Sequence, residues 1–168
     1  HSILAVPGAK ECCLELNSLS KAHNMAGWRL GMVASSADVI YEILKVKSQL
    51  DSGIFRPLQL AAVEALSQGP EWFGELNAEY RRRQHAAARI FDLLGVRYNP
   101  ASQGLFLWGR APDGTDPVKL SDRLLHEAGV FITPGFIFGH NGENYLRISL
   151  CASVEVLGRA LEKIKAVL

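Results

Sequence analysis

The chain has 168 residues, 48% of them hydrophobic and 21% charged, with a formal charge of +1. That is the profile of a globular chain with room for one domain or two small lobes, and its charge balance leaves no basic stripe for nucleic acid or an anionic membrane surface. No apolar run approaches the roughly 20 residues of a membrane span. The opening, His1-Ser2-Ile3-Leu4-Ala5-Val6, lacks an initiator Met and the basic-then-apolar layout of a secretory leader. It fits a chain that begins inside a longer protein. Two of the three cysteines are neighbours, Cys12 and Cys13. Adjacent residues on a strand face opposite ways, so the pair is poorly placed to chelate a metal or staple a fold. All three are expected to be reduced and at least half-buried, in a cytoplasmic protein. The five histidines show no HExxH spacing, and no metal is expected.

In chain order, Glu11 to Asn17 reads as a short strand through Cys12, Cys13, Leu14 and Leu16. Leu30 to Ala34 reads as a second. Ser36 is placed to cap a helix whose apolar positions are Ile40, Ile43, Leu44 and Leu50. Asp51-Ser52-Gly53 breaks it, and Pro57 suits the first turn of another helix reaching about Ser67. The longest element runs from near Pro70 to Leu94, with Phe73, Leu76, Tyr80, Ala87, Phe91 and Leu94 on one face and Arg81, Arg82 and Arg89 on a solvated one. At 1.5 Å per residue it spans roughly 37 Å, enough to tie two lobes together. A smaller α/β unit follows. Gly104 to Gly109 reads as a strand, a helix opens at Asp116-Pro117 and closes at Gly129, and Val130-Phe131-Ile132 reads as a strand entering the turn Pro134-Gly135. Tyr145 to Leu150 alternates as a half-buried strand does. Ser153 caps a last helix that turns Leu157, Ala160, Leu161, Ile164 and Leu168 inward.

The chemistry concentrates in Ser18-Leu19-Ser20-Lys21-Ala22-His23-Asn24-Met25-Ala26-Gly27-Trp28-Arg29-Leu30-Gly31, the connection between the first two strands. Hydroxyls supply neutral donors and a guanidinium supplies a charged fork, which suits a phosphate. A lysine among them adds a nucleophilic amine. The pattern is neither a P-loop, whose glycines precede Lys-Ser/Thr, nor a GxGxxG dinucleotide turn.

This stretch resembles the Schiff-base lysine signature of the class I/II (fold-type I) aminotransferases, Ser-x-Ser-Lys followed seven residues later by Arg, an apolar residue and Gly. Further on, Glu127-Ala128-Gly129-Val130, Pro134 to Gly139 and Gly142 to Ser149 are similar to that family's small-domain sequence in the same order. The resemblance implies that Lys21 carries pyridoxal 5'-phosphate (PLP) as a Schiff base and that Ser18, Ser20 and Arg29 hold its phosphate. It further implies that Arg147 pairs with the substrate carboxylate.

The fold so implied is α/β, the C-terminal part of the PLP-dependent transferase fold. Residues 1–75 would be the remnant of the cofactor-binding large domain. Residues 76–168 would be the long interdomain helix and the small C-terminal domain. The activity implied is transfer of an amino group between an amino acid and a 2-keto acid, in a cytoplasmic homodimer with no nucleic-acid or membrane partner. The alternatives are a PLP-dependent lyase or synthase of the same fold, or a truncated lobe without catalysis. The family's phosphate loop, its aspartate on the pyridine nitrogen and its tyrosine on the phenolic oxygen precede the lysine and are not in this sequence, so the 168 residues alone are expected to be inactive. The motif leans toward the diaminopimelate-type enzymes, but aspartate and aromatic aminotransferases share most of it. By the same resemblance Arg56 lies in a region that reaches a partner subunit, against the plainer expectation of a solvated loop arginine. His23 and Asn24 follow the lysine closely enough to touch a ligand, and Trp28 is expected to pack between the lobes.

Overall fold

A computed structural model describes residues 2–168. They divide into two compact units, the first ending at Gly69 and the second running Pro70–Leu168. The division thus falls at the start of the long helix, where the sequence placed it at residue 75, inside that helix.

In the first unit, a short helical turn, α1 (Ala9–Cys12), precedes strand β1 (Glu15–Ser18), one turn of helix α2 (Leu19–Ala22) and strand β2 (Gly31–Ala34). Helices α3 (Ala37–Leu50) and α4 (Arg56–Leu66) complete it. β1 and β2 pair antiparallel, with Ser18 opposite Gly31 and Glu15 opposite Ala34. The expected first strand therefore starts late. Gly8 takes the left-handed conformation (φ 80) as the N-cap of α1, and the Cys13 N–H closes that turn on the Ala9 carbonyl at 2.7 Å. Cys12 thus ends a helix instead of opening a strand. The three cysteines are free, but Cys12 and Cys151 are exposed, contrary to the expected burial.

Ser36 is the N-cap of α3, although its side chain makes no capping bond. Arg56 is the first residue of α4 and not a loop residue. The buried residues of this unit are few, chiefly Leu19, Met25 and Leu30 packed with Leu58, Ala61, Ala62 and Ala65 of α4.

The second unit opens with α5 (Pro70–Leu93) and continues through strands β3 (Arg97–Tyr98) and β4 (Phe106–Arg110), helix α6 (Pro117–Ala128), strands β5 (Thr133–Pro134) and β6 (Tyr145–Ser149), and helix α7 (Val154–Lys165). The sheet is antiparallel throughout, in the order β3-β4-β6-β5. Alternation sends Leu107, Leu146 and Ile148 into one core with Ala87, Ile90 and Phe91 of α5, Leu124 and Ala128 of α6, and Leu157, Leu161 and Ile164 of α7. Phe106, Trp108, Tyr145 and Arg147 alternate with these residues and are half-buried.

Asp116 caps α6, accepting from the Val118 and Lys119 N–H groups at 2.9 and 3.3 Å, and Gly129 (φ 64) ends it in the left-handed conformation. Val130 to Ile132 are irregular, because the segment leaving this cap pairs with β6 only at Thr133 and Pro134. Leu168, expected inside, lies beyond the last turn of α7 and is 56% exposed. No helix among the described residues is long and apolar enough to cross a membrane.

Candidate active site

The loop between β1 and β2 is built by its apolar residues. Leu19 is the hinge: its N–H donates to the Leu30 carbonyl at 3.1 Å, and its carbonyl accepts from the N–H groups of His23 and Met25 at 3.2 and 3.3 Å. With Leu19, Met25 and Leu30 turned inward, the polar residues between them turn out. Ser18, Lys21 and Arg29 are exposed and Ser20 is half-buried. Ser18 caps α2, its Oγ accepting from the Ser20 N–H at 3.2 Å, which leaves its own hydroxyl proton to donate.

Lys21 follows in that same single turn, with both hydroxyl residues close to it in the chain. Arg29 holds a left-handed backbone conformation (φ 52), and its guanidinium donates to the Ala26 carbonyl at 3.0 Å. Asn24 is left-handed too (φ 54). Gly31 must be glycine where β2 begins, since a Cβ there would lie 2.8 Å from the Asn17 carbonyl oxygen. Residues 18–31 thus present two hydroxyls, an amine and a guanidinium without one carboxylate. This is a donor set for an anion carrying a carbonyl, and it fits PLP.

Trp28 is 45% exposed. No metal-ligand cluster occurs among the described residues.

Arg147 belongs to the second unit, on β6, paired across the sheet with Trp108 on one side and Thr133 on the other. Its guanidinium carbon is 4.2 Å from the ring centres of both Phe106 and Phe138. Its Nε is buried and has no hydrogen-bond partner among the described residues. A cation held against two rings keeps its charge for an anionic ligand.

The sequence pattern described as aminotransferase class I and II matches residues 3–164. The chain belongs to this aminotransferase family. Among its relatives, the LL-diaminopimelate aminotransferase of Natranaerobius thermophilus is 39% identical over 164 residues, which is 98% of this chain and 42% of that protein. The enzyme of the same name from Aquifex aeolicus is 38% identical, again over 98% of this chain and 42% of its own. Among solved structures, the aromatic aminotransferase from Pyrococcus horikoshii superposes with a TM-score of 0.89 at 32% identity, over all of this chain and 46% of that one. A probable N-succinyldiaminopimelate aminotransferase from Thermus thermophilus gives 0.86 at 35% identity, over 99% and 45%. The chain therefore spans less than half the length of the aminotransferases it matches.

Ser18, Ser20, Lys21 and Arg29 all lie on the stretch from the end of β1 to the start of β2 in the first unit. Arg147 stands in the second, with an aromatic surround that the sequence reading did not single out. Trp108 stacks on Tyr145 (centres 5.2 Å apart, planes 11° apart) and meets Phe138 edge-on at 5.7 Å. The signal was present as Phe106-x-Trp108 and Tyr145-x-Arg147, period-two pairs on two strands. Only their register, with Trp108 opposite Arg147, shows that they share a face.

Proposed function

We propose that this chain supplies the lysine-bearing and carboxylate-binding parts of a PLP-dependent aminotransferase acting on an amino acid and a 2-keto acid. The observation that carries it is the β1–β2 connection, where Leu19, Met25 and Leu30 are buried while Lys21 and Arg29 are exposed on the same short stretch as Ser18 and Ser20. Ser18, Ser20 and Arg29 would hold the phosphate, two as neutral donors and one as a charged donor. Lys21 would hold the cofactor covalently through its amine and, once displaced by the substrate amine, move the proton from the substrate Cα as base and then acid. When bound, PLP supplies the carbonyl that captures the amine and the electron sink that loosens the Cα proton. Arg147, held against two rings, would grip the substrate carboxylate and fix the direction in which the Cα–H bond points.

The relatives' names support an amino-acid substrate and, by kind, a biosynthetic role. Free thiols at Cys12, Cys13 and Cys151 support a reducing, cytoplasmic setting. A homodimer is part of the same proposal. Large apolar side chains exposed on the first unit, among them Leu16, Leu50 and Phe55, support a surface that another polypeptide covers.

Borohydride reduction after incubation with PLP, followed by peptide mapping, tests the assignment. It should be run on this chain and on a version extended upstream to the length of its relatives. The expected result is a single pyridoxyl adduct on Lys21 in the extended protein. Absence of a specific adduct there would overturn the proposal.

A further inference from the structure

We infer that Phe106 and Phe138 are positioning residues: they clamp the Arg147 guanidinium so that its two terminal nitrogens, and not its Nε edge, meet the substrate carboxylate. This rests on the carboxylate-binding role proposed for Arg147 above. An arginine on a strand normally has several rotamers open to it, and holding one of them lowers the entropy lost when a ligand arrives.

Here the guanidinium lies over two rings at once. Phe106 and Phe138 each have their ring centre 4.2 Å from the guanidinium carbon. Phe106 is fixed by its place on β4. Phe138 comes from a short 3₁₀ turn (Gly135–Phe138), 49% exposed, and needs another support. The edge of Trp108 supplies it, with Trp108 itself stacked on Tyr145. Two glycines complete the support. A Cβ on Gly135 or on Gly142 would collide with the other's carbonyl oxygen, and Trp108 packs against both positions.

The chain of contact therefore runs Tyr145, Trp108, Phe138, Arg147, Phe106. Two π faces attract the cation without neutralising it as a carboxylate would, so its charge stays available. Of its nitrogens only Nε is both buried and unpartnered, which closes the edge-on approach and leaves the terminal pair as the fork.

The test uses the protein extended upstream to the length of its relatives, loaded with PLP. The variants are Phe138→Leu, Phe106→Leu, Phe138→Tyr and Arg147→Gln, and the probes are pyruvate and its uncharged amide, pyruvamide. Phe138→Leu and Phe106→Leu should each weaken pyruvate binding roughly three- to tenfold while leaving pyruvamide binding unchanged. With a saturating amino-acid donor supplying the amino group, the effect should fall on KM for pyruvate and not on kcat, and Phe138→Tyr should restore pyruvate affinity. In ¹⁵N-arginine-labelled protein, pyruvate should shift the terminal nitrogens of Arg147 more than its Nε.

Phe→Leu variants that bind pyruvate as the parent does, or that lose pyruvate and pyruvamide alike, would overturn the clamp and leave the role of Arg147 standing. Unchanged pyruvate affinity in Arg147→Gln would overturn the role of Arg147 itself. Because Phe138 is half-exposed, its leucine variant keeps the test decisive even if Phe106→Leu does not fold.

Discussion

At the scale of single residues, the second unit uses arginine in two opposite ways. Arg147 lies over two aromatic rings, whereas Arg83 is engaged by a carboxylate and two carbonyls. Arg83 Nε donates to Glu79 at 2.7 Å, and its Nη1 donates to the carbonyls of Leu150 and Cys151 at 3.2 and 3.3 Å, joining α5 to the end of β6. The hydrogen bond from Arg83, reinforced by Arg82, holds the Glu79 carboxyl below the usual carboxylate range. A depressed acid adds stability above its unfolded-state pKa of about 4.3 and loses it as the pH falls through the lower folded-state value. Glu79→Gln should therefore be less stable than the parent near neutrality, and the difference should shrink on acidification below about pH 4. Urea midpoints measured across that range would check this, and a constant difference would count against it.

At the scale of elements, the helix ends carry a comparable contrast. Asp116, Ser153 and Ser36 are all N-cap residues, but only the first two accept a bond from their own helix. Asp116→Ala should cost about 1 kcal/mol, read as a lower urea midpoint, while Ser36→Ala should cost far less.

The same contrast shows what could be read from sequence. α5, α6 and α7 were legible because periodicity and capping residues agree over many positions, as with Asp116, Pro117 and Gly129 around α6. β1 and β2 were legible in outline, and so was the place of the lysine loop between them, because its residues are contiguous, but not its α2 turn or the left-handed Asn24 and Arg29. The short elements were not. α1 depends on one left-handed glycine and one backbone bond from Cys13, and β5 on two pairings with a strand distant in the chain. The clamp on Arg147 was illegible for the same reason: it takes one residue from β4, one from a 3₁₀ turn and one from β6.

At the scale of the molecule, the two units are unequal. The second has one continuous core drawn from three helices and the sheet, with Phe91, Ile90, Leu107, Leu124, Leu146 and Ile164 at 1% exposure or less. The first has a two-stranded sheet and a cluster of three buried residues. A two-stranded sheet with so little buried behind it is weakly protected. Hydrogen exchange on the 168-residue chain should therefore be fast through β1, α3 and α4 and slow through β4, β6 and the second half of α5. Equal protection in the two units would contradict this.

The exposed apolar side chains of the first unit have a practical corollary for anyone handling this polypeptide. Leu16 at 73%, Leu50 at 75% and Phe55 at 71% exposure come with a formal charge of only +1 for the entire chain. Little long-range repulsion is left to keep copies apart near neutral pH. Colloidally, the chain on its own is a poor candidate for concentrated solution, and a soluble preparation calls for conditions well away from its isoelectric point.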